Sequence, residues 1–272
     1  MYQIKTHDHS VSGRPKEFVL PEVAELEGLF FILYPTHGES IEYHLKKHQI
    51  IWFDPATKKQ QKADYRATSI RDGIYFIDYI LDGQSISMIL DLINQTFTEV
   101  VAHLSSLPNP NTSKQIQLNI ATMDLSITQG SLDKPYEKYQ DLHSQTDELI
   151  GARFLYYCGF DTVYEHIYLN QNYYTWHCLV GERTGLADTN PCHYYKIADK
   201  LYLLIWTRKS SPYMGLMLID TNFLRADGKV YGYQTSTANK QINLPISPYF
   251  SIINKPNVPY GMLLENIKND FS

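Results

Sequence analysis

Two stretches decide the fold, because they are one design written twice: Glu25-Leu26-Glu27-Gly28-Leu29-Phe30-Phe31 and Glu148-Leu149-Ile150-Gly151-Ala152-Arg153-Phe154. Glu, Leu, Gly and the final Phe recur at one offset of 123 residues, at which Tyr34 also meets Tyr157 and Glu42 meets Glu165. Ala63-Asp64 meets Ala187-Asp188 after a one-residue slip. Ile74-Tyr75-Phe76 parallels Leu201-Tyr202-Leu203, and Leu90-Asp91 parallels Ile219-Asp220. A period this long is not that of a solenoid. It reads as two homologous domains in tandem.

Around these anchors, short apolar or alternating runs are separated by turn residues. His37-Gly38, Asp54-Pro55, Asp72-Gly73 and Asp82-Gly83 punctuate the first copy. Gly159, Asn170-Gln171-Asn172, Gly181, Ala198-Asp199 and Asp227-Gly228 punctuate the second. Asp-Gly between alternating runs is a strong hairpin signal. The pattern predicts an all-β protein of two tandem antiparallel barrels, closed so that no strand edge stays open. A barrel of this size holds one small ligand. Helix is predicted only at Lys134–Leu142 and Met262–Asn269.

The expected organisation is an N-terminal extension (1–24), a first barrel (25–122), a linker (123–145), a second barrel (146–236) and a Pro-studded tail (237–272). Ile116, Leu118 and Ile120 are the candidates for the strand that closes the first barrel, after the Pro/Asn-rich run 107–114.

Composition excludes some classes of function. Formal charge is −5 and charged residues make up only 19%, so no nucleic-acid footprint is expected. No run of eighteen apolar residues is present and Met1–Pro21 has no apolar core, which predicts neither a membrane span nor a signal peptide. Three cysteines without a CxxC fit buried thiols in a reducing, cytoplasmic setting. Twenty-two tyrosines fit amphipathic pockets, with rings buried and hydroxyls bonded.

The chemistry concentrates in one hairpin of the second copy, Tyr164-Glu-His-Ile-Tyr-Leu-Asn170 followed by Tyr173-Tyr-Thr-Trp-His-Cys178. Alternation puts Tyr164, His166 and Tyr168 on one face and Glu165 on the other, and Tyr174, Trp176 and Cys178 opposite His177. Which face points inward is left open, since both are partly apolar. His166, His177 and His193 invite a three-histidine zinc reading. No His-x-His lies within those strands, so no metal is expected. Without GxGxxG, a Walker motif or a Gly-x-Ser-x-Gly elbow, no cofactor is expected either.

Thr146-Asp-Glu-Leu-Ile-Gly151, Glu165-His-Ile-Tyr-Leu-Asn170, Tyr174-Thr-Trp-His-Cys178, Gly185-Leu-Ala-Asp-Thr189, Tyr194-Tyr-Lys-Ile197, Leu201-Tyr202 and Asp227-Gly-Lys229 together resemble the C-terminal domain of the MoaF family. The family's name is tied to a bacterial molybdenum cofactor biosynthesis operon. The first copy is similar to its N-terminal domain. The resemblance implies lipocalin-type, calycin-like barrels. Leu26-Glu-Gly28, Phe30–Tyr34, Gly38, Ile41-Glu-Tyr43 and Ala63-Asp64 also look like the start of bacterial phenolic acid decarboxylases. Leu33-Tyr34-Pro35 stands where those enzymes have Tyr-x-Tyr, and Gln49–Asp54 offers no Arg, so their catalytic residues do not carry over.

Two classes of function follow. One is a binding module that holds a partly aromatic or polar metabolite in the second barrel. The other is a cofactor-free decarboxylase, isomerase or cyclase with His166 and Glu165 as acid–base groups. Tyr164, Tyr168, Tyr174, Trp176, His177, Asp188, Tyr194, Tyr202 and Trp206 are the expected ligand contacts in both cases. The second barrel is expected to hold the larger, more polar cavity, with the first as scaffold. A small molecule is the expected partner, with a homo-oligomer possible.

Overall fold

The computed structural model describes residues 18–104, 123–137, 140–208, 212–233 and 241–256. The first barrel comprises β1 (Phe30–Pro35), β2 (Ile41–Lys46), β3 (Gln49–Asp54), β4 (Lys59–Arg71), β5 (Ile74–Leu81), β6 (Gln84–Asp91), β7 (Thr96–Leu104) and β8 (Met123–Leu132). Each strand pairs antiparallel with the next, and β8 returns to β1 at Leu33↔Leu132, closing the ring. After a short β9 (Ser144–Gln145) the second unit runs through β10 (Arg153–Tyr157), β11 (Val163–Asn170), β12 (Tyr173–Val180), β13 (Ala187–Ala198), β14 (Leu201–Thr207), β15 (Tyr213–Asp220), β16 (Arg225–Tyr233), β17 (Gln241–Ile246) and β18 (Tyr249–Asn254). β12 pairs with β13, and β18 bridges β16 and β10, so this unit closes as well. The fold is therefore the predicted pair of all-β barrels.

The duplicated segments form the same turn twice, hydrogen bond for hydrogen bond. Glu27 N–H donates to Ala24 O and Ile150 N–H to Asp147 O, both at 2.9 Å. Gly28 N–H then reaches Leu45 O, and Gly151 N–H reaches Tyr168 O, both at 2.7 Å. The glycines sit at φ +83° and +82°, the left-handed region that L side chains avoid. Leu26 and Leu149, buried in their respective cores, anchor the two turns.

Four parts of the sequence reading are corrected. Residues 123–145 are not simply a linker, since Met123–Leu132 is the eighth strand of barrel one. Its Ser, Thr, Gln and Gly hide the apolar alternation. The tail likewise carries the eighth strand of barrel two, bent between β17 and β18 at Ser247-Pro248. Pro245 argues against a central strand, but β17 pairs only with β16 among the described residues, and a proline is tolerated on such an edge. Asp227-Gly228 is no turn; it lies within β16. The described residues contain no helix, and Lys134–Leu142 is irregular where it is described. Ile116, Leu118, Ile120 and Met262–Asn269 lie outside the described residues. No helix of the described residues is long and apolar enough to cross a membrane.

The barrels pack wall to wall. Along β5, Tyr75, Ile77 and Tyr79 point into barrel one, whereas Ile74 and Phe76 join Leu201, Leu203, Ile205, Leu216 and Leu218 in an apolar seam. The seam contains buried charge. Lys229 Nζ pairs with Asp78, and Arg71 Nε donates to Asp220 at 2.8 Å. The Thr68 and Ser247 hydroxyls donate to buried Asp227.

Barrel one also holds Glu99 on its inner face, between Phe97 and Val101 and close to Tyr43 and Tyr79. Burial pushes its carboxyl up to about 7.

Two predictions follow from these features. Gly28→Ala, with nothing within 4 Å of the added Cβ, should cost about 1–2 kcal/mol for its left-handed backbone alone. Gly151→Ala should cost more in denaturant titrations, because that Cβ meets Pro256 Cγ at 2.6 Å. Equal, negligible losses would show that neither turn depends on a left-handed glycine. The second prediction concerns pH. Glu99 is protonated in the folded chain and ionised in the unfolded one between its ordinary value and about 7, so it lowers stability as pH rises through that window. Glu99→Gln should therefore stabilise the protein at pH 8, by up to about 3 kcal/mol, and change little at pH 4.5. Buried His143 and His166, with depressed values, act oppositely in acid and cancel in the comparison of variant with wild type.

Candidate functional site

The second barrel holds a half-open cavity of about 340 Å³. Tyr156 of β10, Tyr164 and His166 of β11, Tyr174 and Trp176 of β12 and Trp206 of β14 form its aromatic wall. Met217, Val230, Ile242, Leu244 and Ile246 supply an aliphatic one, and Arg183 and Arg208 supply charge. Strand alternation aims these side chains inward, which settles the face question: the Tyr164, His166, Tyr168 face is the lumen face.

His166 is the polar centre of the cavity wall. Its ring lies 4.5 Å from that of Tyr156 and 5.0 Å from that of Tyr174, centroid to centroid. Its Nδ1 is buried without a hydrogen-bond partner among the described residues. Burial lowers its pKa to about 3, so the imidazole is neutral at physiological pH and offers one donor and one acceptor. Trp206 can lie across the lumen because its neighbour on β15 is Gly215; a Cβ there would come within 1.9 Å of the indole.

The other expected site residues are placed differently. Glu165 is on the outer face, paired with Arg153 and 3.5 Å from His177 Nδ1. The barrel wall separates it from the lumen face of His166, so the two form no acid–base pair. Asp188 is exposed, across from Trp176, and caps Thr189 N–H at 2.8 Å. Tyr168 is core, its hydroxyl 2.6 Å from that of Tyr156. Tyr194 is buried and donates to Tyr173 O at 3.2 Å. Tyr202 donates to Glu148 Oε2 at 2.7 Å and so holds the duplicated turn. His193 is exposed and His177 faces outward, so the three histidines do not converge on a metal. Of the expected contacts, Tyr164, His166, Tyr174, Trp176 and Trp206 line the cavity.

Sequence reasoning missed Arg183, Arg208, Tyr213 and the β17 aliphatics. The arginines lie in or beside connections, where alternation carries no information. β17 was read as tail. Asn190, across from Tyr174 and fully buried, was also missed; neither polar atom of its side chain has a partner among the described residues.

The lumen cluster has a counterpart in barrel one. Tyr43 faces Trp52 across two strands, as His166 faces Trp176. Met88 faces Glu99, as Met217 faces Gly228. Tyr79 faces Ile86, as Trp206 faces Gly215. Barrel one thus places a carboxyl where barrel two has a glycine, and its lumen is more than an apolar scaffold.

Comparison with known proteins agrees with the duplication. Residues 8–106 match the MoaF N-terminal domain and residues 143–256 the MoaF C-terminal domain. The chain is 36% identical over 200 residues to Protein MoaF of Klebsiella aerogenes, covering 71% of this chain and 75% of that protein. A crystal structure from Burkholderia vietnamiensis, provisionally described as a beta-lactamase, overlaps 39% of this chain and 95% of its own at 10% identity, with a TM-score of 0.33. That overlap carries no argument. The C-terminal match extends through β17 and β18, so the bent closing strand falls within the family domain, and with both domains matched in order the chain belongs to the MoaF family.

Proposed function

We propose that this protein is a small-molecule-binding protein that holds its ligand in the second barrel. One observation carries the reading. A ligand-sized, largely aromatic cavity presents a buried neutral histidine whose Nδ1 no described residue satisfies. A buried polar atom without a partner costs about 1–3 kcal/mol. A ligand that supplies the missing hydrogen bond recovers that cost, so the site favours an occupant with one polar group near His166 and flat apolar surface elsewhere. Pockets that are mostly apolar with a few placed polar groups are the usual form of such sites.

Binding is favoured over catalysis because Glu165 and His166 lie on opposite faces, and because an imidazole at about 3 is a poor base at neutral pH. The link to molybdenum cofactor synthesis rests on the family name, whereas the chemistry of this lumen asks for an aromatic ligand.

Two of the three tryptophans, Trp176 and Trp206, line the cavity, so intrinsic fluorescence should report occupancy. Titration with 2-naphthamide should give saturable one-to-one quenching. His166→Ala should weaken binding about tenfold, equivalent to roughly 1.4 kcal/mol, while the melting temperature stays within a few degrees. A stability loss above about 2 kcal/mol with unchanged affinity would mean that the histidine is structural.

A further inference from the structure

The charge of the cavity is more specific than its shape. Its lining includes two arginines and no aspartate or glutamate, in a chain whose formal charge is −5. Arg183 comes from the turn between β12 and β13, and Arg208 follows β14 directly. Both are half-buried. The Arg208 guanidinium lies 4.0 Å from the centroid of the Tyr213 ring, which holds it at the lumen. Neither guanidinium has a carboxylate partner among the described residues. Two arginines elsewhere in the fold do have one: Arg71 pairs with Asp220, and outer-face Arg153 pairs with Glu165.

The two arginines act on one region. Burial raises the pKa of the Tyr213 hydroxyl, and the positive charges of Arg208 and Arg183 both offset part of that rise. Arg183 acts in the same way on Tyr164, and Arg208 on Tyr174. Two guanidinium groups from separate connections thus converge on one group of cavity-lining tyrosines. Planar guanidinium forks match oxyanions, and in a partly desolvated site such hydrogen bonds are about twice as strong as neutral ones.

We infer that the second barrel binds an aromatic organic anion, its carboxylate or phosphate end held by Arg183 and Arg208 and its ring system lying among Tyr174, Trp176 and Trp206 toward His166. The inference rests on the binding reading above and adds the charge and polarity of the ligand. It also gives the neutral state of His166 a role. With two fixed positive charges at one end of the cavity, a third on the imidazole would repel them, whereas a neutral ring adds a hydrogen bond without charge.

A set of matched probes tests it on the full chain, with tryptophan quenching as readout. 2-Naphthoate, 2-naphthyl phosphate and uncharged 2-naphthamide share one ring system. Both anions should bind at least tenfold more tightly than the amide at low salt, and the order between them identifies the end group. Raising NaCl should weaken the anions and leave the amide unchanged. Arg183→Gln and Arg208→Gln should each cost about tenfold for the anions and little for the amide, and the double variant should bind all three probes alike. Equal affinities of the wild type for anions and amide would overturn the inference and leave the binding reading intact, as would arginine variants that weaken every probe equally. Failure of all three probes to bind would overturn the binding reading and the inference with it.

Discussion

The apolar seam between the two barrels is the constraint on which the rest of the molecule depends. β5 must be apolar on both faces, Tyr75, Ile77 and Tyr79 inward and Ile74 and Phe76 toward the partner barrel, and β14 and β15 are buried on both faces as well. A wall buried on both sides has little freedom to evolve, since each substitution is felt by two cores. The strands away from the seam carry no such double constraint. In barrel two these are β10 to β12 and the bent β17–β18, and they supply His166, Tyr174, Trp176 and the β17 aliphatics. The seam strands also reach the lumen, through Trp206 of β14 and Met217 of β15, so a rigid wall backs the cavity.

Buried ions in the seam fix how the two barrels meet. An apolar contact alone tolerates sliding, because burial energy is non-directional. Lys229 facing Asp78, and Arg71 facing Asp220, fit only one docking. A partner removed from either pair would leave a buried charge, at a cost of about 3–5 kcal/mol. These pairs join residues far apart in sequence. That is why the pairing of Lys229 with Asp78 gives no signal in the sequence, although Lys229 lies within the Asp227-Gly-Lys229 motif.

What could be read from the sequence, and what could not, follows the same physics. The turn at Glu25–Gly28 and its copy at Glu148–Gly151 were legible because a left-handed glycine after a buried leucine is a local requirement. The hairpin strands were legible because turn residues bound them. The eighth strands were not. Met123–Leu132 alternates with small polar residues, and β17 contains a proline, so closure was settled by the ring's need to pair its last edge. In the site, alternation separated Glu165 from His166 correctly but could not say which face was inside. The presence of both residues in one strand suggested a catalytic pair that the barrel wall divides.

The duplication also lets the two lumens be compared position by position. Tyr43, Trp52, Tyr79 and Glu99 occupy in barrel one the positions that His166, Trp176, Trp206 and Gly228 occupy in barrel two. The two lumens have taken opposite electrostatic characters on one scaffold. In barrel one a carboxyl near two tyrosines is raised toward neutrality, because burial disfavours its charge. In barrel two the carboxyl position is glycine, Ile86 is answered by Gly215, and the indole of Trp206 extends into the space this leaves. With no acid at this position, arginines from the flanking connections can face the lumen without being neutralised by the barrel's own carboxylate. An anion site at Arg183 and Arg208 would be hard to build around an ionised Glu at position 228, so the glycine there and the two arginines fit one electrostatic design.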